Sequence, residues 1–127
     1  MKTKQKMITR LKNDHVIKQT LCGEIHEILL GTEYTPNIAI ALNIGPTTAH
    51  YHKEIDEIYF VLDGDILLKL YNPETGEYTD QKLSENELCL ITKGIHHKII
   101  ESSKENRLCV ISIPYFNGDD EYISEKL

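Results

Sequence analysis

The stretch that decides the fold is His50-Tyr51-His52-Lys53-Glu54-Ile55-Asp56-Glu57-Ile58-Tyr59-Phe60-Val61-Leu62-Asp63-Gly64. Side chains alternate across a strand but repeat every 3.6 residues on a helix, so histidines at i and i+2 share a face only on a strand. A β setting therefore makes His50 and His52 a two-pronged unit. Glu57 follows His52 by five residues, an offset that an unbroken strand would send to the opposite face. A turn through Lys53 to Asp56 is expected to reset the phase, after which Glu57, Tyr59 and Val61 face inward together. The side chains of Lys53, Glu54 and Asp56 read most simply as a solvated turn.

The rest of the chain has the same grain. Short β-branched runs at Ile25–Leu30, Ile38–Ile44, His50–His52, Glu57–Leu62, Ile66–Tyr71, Tyr78–Leu83, Glu87–Ile91, His96–Glu101 and Leu108–Ile113 are separated by turn residues. Many short strands with regular turn signals predict an all-β sandwich or closed barrel. Asn72-Pro73-Glu74-Thr75-Gly76 reads as a hairpin connection, because Pro73 presets a turn and Gly76 can take a positive φ. The first twenty residues and the part after Pro114 read as irregular or weakly helical. Asn117-Gly118-Asp119-Asp120-Glu121 is expected to be a solvated turn, with Tyr115, Phe116 and Tyr122 packing nearby.

A second cluster lies about forty residues beyond Glu57, at Lys93-Gly94-Ile95-His96-His97-Lys98-Ile99. A glycine turn followed by a strand puts His97 and Ile99 on one face and His96 and Lys98 on the other. Sharing its face with an isoleucine makes His97 the inward candidate and His96 a rim or surface residue. His15 and His26 lie outside these strands and receive no role.

Composition narrows the function. A chain of 127 residues fits one domain. The net charge of −6, from 20 acidic and 14 basic residues, argues against a nucleic-acid binder, which usually carries a basic face. Arginine occurs only at Arg10 and Arg107, which makes a bidentate clamp for phosphate a poor expectation. Cys22, Cys89 and Cys109 are odd in number and lack metal-ligand spacing, so they read as buried reduced thiols in a cytosolic protein. No segment approaches the ~20 apolar residues of a membrane span. Met1 to Lys6 is basic but has no apolar run of a secretory signal, so the cytoplasm is expected.

The two clusters resemble those of the cupin family, whose first motif is G-x5-H-x-H-x3-4-E-x6-G and whose second is G-x5-P-x-G-x2-H-x3-N. His50, His52, Glu57 and Gly64 match the first motif in type and spacing, with four residues rather than five between Gly45 and His50. Gly94 and His97 match the second. Asn86 stands where its first glycine is expected, Thr92 in place of the proline and Glu101 in place of the final asparagine. The resemblance covers roughly residues 38 to 113, and its departures fall mainly at turn positions. It implies a double-stranded β-helix, or jelly-roll barrel, over residues 24–114. An N-terminal arm over 1–23, as a strand or dimer contact, and a tail over 115–127 would flank it. It also implies a homodimer, formed by sheet packing or by exchange of an N-terminal strand that would give Met7 to Leu21 a partner.

The resemblance implies that His50, His52, Glu57 and His97 bind one divalent metal. Three imidazoles and a carboxylate suit Fe, Mn, Ni, Co or Zn and suit calcium poorly. Four protein ligands on an octahedral ion leave two adjacent positions for water or substrate. The expected function is a metal-dependent enzyme on a small polar molecule, similar to sugar or sugar-phosphate isomerases or to dioxygenases. The alternative is a non-catalytic binding or sensor cupin. Tyr59 and Glu101 are the candidate catalytic residues. A small-molecule partner is expected, and neither nucleic acid nor membrane.

Overall fold

The computed structural model describes residues 7–114 and 118–127. All nine anticipated runs form strands, with ends within two residues of those expected. In chain order the strands are β1 (Val16–Gln19), β2 (Glu24–Leu29), β3 (Asn37–Leu42), β4 (His50–Tyr51), β5 (Asp56–Asp63) and β6 (Ile66–Asn72). They continue as β7 (Glu77–Leu83), β8 (Leu88–Ile91), β9 (His96–Ser102), β10 (Arg107–Ile113) and β11 (Tyr122–Ile123). Two antiparallel sheets, ordered β1-β2-β3-β10-β5-β8 and β11-β4-β9-β6-β7, face each other as a jelly roll. Among the described residues, no helix is long and apolar enough to cross a membrane.

Strand alternation sets the core. Glu57, Tyr59 and Val61 point inward from β5, as do Ile66 and Leu68 from β6 and His97 and Ile99 from β9. Ile66, Leu68, Val61, Ile99 and Leu108 form the dry centre, each at most 1% exposed. Truncating one of these to alanine typically destabilises by about 2–5 kcal/mol. The Asn72–Gly76 connection forms as expected: the Gly76 amide donates to Asn72 O at 2.8 Å and Gly76 has φ 73.

Two strands lie outside the nine expected runs, the first of them within the arm over 1–23 expected as a strand or dimer contact. β1 lies in the stretch read as irregular, although Lys12–Asp14 before it does make one 3-10 turn. All four β1 residues are exposed, so no apolar alternation announced the strand. Backbone pairing with β2 holds it, reinforced by a Lys18–Glu27 ion pair at 2.8 Å. β11 is two residues long and pairs with β4. The expected solvated turn holds for Gly118–Asp120 as a 3-10 turn with Asp119 and Glu121 exposed, but Asp120 is 4% exposed. The expected packing of Tyr115 and Phe116 concerns residues outside those described. The three cysteines are free and half-buried rather than fully buried.

The outer face of the larger sheet is unusually apolar. Two cross-strand rows, Ile38–Ile111–Ile58–Leu90 and Ile40–Cys109–Phe60–Leu88, run over β3, β10, β5 and β8. Leu88 and Leu90 are each 53% exposed. An antiparallel sheet with one wet face normally alternates apolar with polar residues. This one is apolar on both.

Candidate metal centre

The ligand-type side chains arrive from three elements. His50 and His97 sit directly opposite each other in the β4–β9 pair. His52 follows β4, and the chain then bends at Lys53–Glu54 before β5 starts at Asp56. That bend resets the phase and turns Glu57 inward. Gly94, with φ 90, turns the chain ahead of β9 and donates its amide to His52 O at 2.7 Å. A backbone bond thus ties the two motif segments together beside the site. One ligand atom from each of His50, His52, Glu57 and His97 lies within 4.8 Å of the others. His52, Glu57 and His97 are buried and His50 is half-buried.

The hydrogen bonds behind the rings fix which nitrogen faces inward. Nδ1 of His50 donates to Thr48 O at 2.9 Å, that of His52 to Asp120 O at 2.6 Å, and that of His97 to Ile95 O at 3.0 Å. A carbonyl only accepts, so each Nδ1 carries a proton, and a ring that is neutral presents an Nε2 lone pair. This is how a metal-ligating histidine is held by its outer partner. At the centre, Nε2 of His52 and of His97 lie 3.0 and 3.2 Å from Glu57 Oε1. With neutral rings these are acceptors facing an acceptor, an arrangement that asks for a cation between them. A proton meets the need in part; a divalent ion meets it for all four groups. The donor set therefore fits a transition metal.

Electrostatics follow the same geometry. Burial raises the Glu57 carboxyl, but the hydrogen bonds and charges of His52 and His97 outweigh it and lower the pKa to about 2. Burial pushes the His52 imidazole down, yet Glu57 and the Asp120 carbonyl leave it raised above 6.5. His50 is lowered by burial and by His97. Tyr59 stands edge-on to the His97 ring, centroids 5.9 Å apart. Burial and then Glu57 hold its phenol well above 10, so its O–H can donate a hydrogen bond but does not serve as a phenolate base.

Glu101 is not brought to this cluster. It is exposed and lines a separate depression with Asp65, Leu67, Lys82 and Ser103. The register against β6 passes from Leu68↔Ile99 to Leu67↔Glu101, so Ile100 is an extra residue in β9. A bulge of this kind reverses the phase beyond it and turns Glu101 outward. His96 projects on the other face from His97. There it stacks on Tyr51 at 4.2 Å, and its Nδ1 lies 2.6 Å from Ser124 Oγ. Asn86, in the place of a motif glycine, has φ 67, a conformation that asparagine tolerates.

A cavity of about 220 Å³ adjoins the site, lined by Ile25, Glu27, Asn37, Ala39, Ala41, Glu57, Val110 and Ser112. Small side chains at positions 39, 41 and 112 leave this space inside the larger sheet. It has room for several waters or one small molecule. Glu57 is common to the cluster and the cavity. Glu27, Asn37 and Ser112 are polar residues that the motifs do not mark. The sequence signal for Glu27 was its place two residues after Ile25 on one face of a strand.

A jelly roll carrying three histidines and one glutamate between its sheets defines a class, the cupin-type β-barrel with a candidate metal site. No family model matches the chain. It is 38% identical over 48 residues to a 3-hydroxyanthranilate 3,4-dioxygenase of Brucella anthropi, covering 37% of this chain and 26% of that protein. Its fold matches the capsular polysaccharide assembling protein CapF from Staphylococcus aureus with TM-score 0.74 and 17% identity, over 87% of this chain and 34% of that one. Oxalate decarboxylase from Bacillus subtilis matches with TM-score 0.73 and 14% identity, over 87% and 30%. The chain thus spans about a third or less of each of these proteins. They are cupin-fold proteins, and the chain shares that fold.

Proposed function

We propose that this chain is a metal-dependent cupin enzyme. One divalent transition metal would be held by His50, His52, Glu57 and His97, and a small polar substrate would enter the cavity beside Glu57. The observation that carries the reading is the set of three Nδ1-anchored imidazoles turned toward one buried carboxylate. The metal would supply Lewis acidity or, as Fe(II), access to dioxygen. The chain's own residues do the rest. Asn37 and Ser112 offer hydrogen bonds to a substrate, Ile25 and Val110 exclude water, and Tyr59 buttresses His97.

The cavity lining also bears on substrate charge. It contains two carboxylates and no lysine or arginine, and the nearby Lys18 ammonium is engaged by Glu27. That composition disfavours a phosphorylated substrate, and so sets the dioxygenase-like reading ahead of a sugar-phosphate isomerase. Likeness to a dioxygenase over 48 residues points the same way. The test is metal analysis of protein purified without added metal, joined to oxygen-uptake assays. Iron with substrate-dependent oxygen consumption supports the reading. Bound manganese, nickel or zinc without oxygen consumption would redirect it to isomerisation, and failure to bind any divalent ion would end it.

We also propose that a second copy of the chain covers the apolar outer face of the larger sheet. The exposure of Leu88 and Leu90, in rows with Phe60 and Ile58, supports this, because an exposed apolar patch of that continuity is rare on a monomer.

A further inference from the structure

The segment that follows Gly118 grips the His-x-His strand at nearly every residue. The Asp120 carboxylate accepts the Lys53 amide at 3.0 Å through Oδ1 and the Glu54 amide at 2.9 Å through Oδ2. Its carbonyl accepts the His52 Nδ1 proton at 2.6 Å. Tyr122 pairs with Tyr51 across β11 and β4, and the two rings stack 5.4 Å apart. The Lys53 ammonium lies 4.2 Å above the Tyr122 ring. Ser124 then donates its amide to Ala49 O at 3.0 Å. Between these contacts, Glu121 sets Oε1 3.5 Å from Nε2 of His50, the nitrogen that His50 turns to the site.

Asp120 therefore acts at two levels. Its side chain caps the two amides of the bend that turns Glu57 inward, and this anchors its own carbonyl behind His52. Any residue at position 120 has a carbonyl, but only a side chain with acceptor oxygens pins it there. Glu121 is 49% exposed in its side chain, whereas Glu57 is buried.

We propose that this C-terminal segment is a working part of the metal centre. Asp120 is the positioning residue for His52, and Glu121 is a second carboxylate of the site beside His50. The inference rests on the metal-site reading above, and it adds a contribution from 68 residues beyond His52.

The test is titration of the metal-free whole chain with Co(II), followed by visible absorption, for the wild type, Asp120→Ala, Asp120→Asn and Glu121→Gln. Loss of an outer partner of a ligating histidine typically weakens metal binding about 10- to 100-fold. Asp120→Ala is expected to fall in that range. Asp120→Asn keeps one acceptor oxygen but turns its NH2 toward the second amide, and should fall between Asp120→Ala and the wild type. Glu121→Gln is expected to shift the Co(II) absorption bands and weaken binding severalfold, with the unfolding temperature of the metal-free protein unchanged. Wild-type affinity and spectrum in both Asp120→Ala and Glu121→Gln would overturn the inference. Should Asp120→Ala fail to fold, a wild-type spectrum and affinity in Glu121→Gln alone overturns it. A wild type that takes up no Co(II) would instead overturn the metal-site reading beneath it.

Discussion

Replacing Glu57 by glutamine keeps the shape of the side chain and removes its charge from between two buried imidazoles. The carboxyl is 5% exposed, and its fall from 4.5 to about 2 corresponds to about 3 kcal/mol. A lowered carboxyl contributes stability that is complete above its unfolded value, near 4.5, and is lost as the pH falls through about 2. From the side of His52 the same contact has the opposite sign. A raised imidazole contributes fully below 6.5 and loses its contribution as the pH rises through its folded value. The two descriptions concern one interaction, which is therefore greatest between about pH 5 and 6. Denaturant unfolding of the metal-free proteins in a chelating buffer should show Glu57→Gln less stable by about 3 kcal/mol at about pH 6. The gap should close to about 1 kcal/mol near pH 3, and it should narrow again as His52 deprotonates. A gap that stays constant across this range, or a variant as stable as the wild type, would refute the account of the buried carboxylate.

Three further outcomes follow from particular contacts. His52→Ala should weaken divalent-metal binding in calorimetry by about 100-fold or more, whereas His96→Ala should stay within about threefold of wild type. Equal losses would mean that the phase of β4 and β9 is wrongly read. Gly64→Ala should destabilise by about 3 kcal/mol in denaturant unfolding. Gly64 has φ 78, and a Cβ there would meet Ser103 Oγ and Glu105 O. Leu90→Glu should shift sedimentation from dimer to monomer while leaving metal affinity intact; a wild-type chain that sediments as a monomer would dispose of the proposed second copy.

Sequence alone determined the strands and the ligand face. Period-2 alternation is a local property, so His50 and His52 had to share a face once the segment was extended, and Glu57 needed a bend before it could join them. The spacing from Gly94 selected His97 over His96 for the same local reason. Only the tertiary structure decided what stands behind and around those ligands. Ile100 forms a bulge against β6 and carries Glu101 out of reach, a shift set by pairing with another strand. β1 could not be read from alternation because all its residues are exposed and its partner strand supplies its order. Asp120 looked like a solvated turn residue, yet its carbonyl and carboxylate are spent on His52, Lys53 and Glu54, 66 to 68 residues away in the chain. The cavity beside Glu57 likewise depends on the pairing of β3 with β10, which sets Ala39 opposite Val110 and Asn37 opposite Ser112 along its lining. Alternation dictates the side to which a residue points; the packing of distant segments dictates what it meets there.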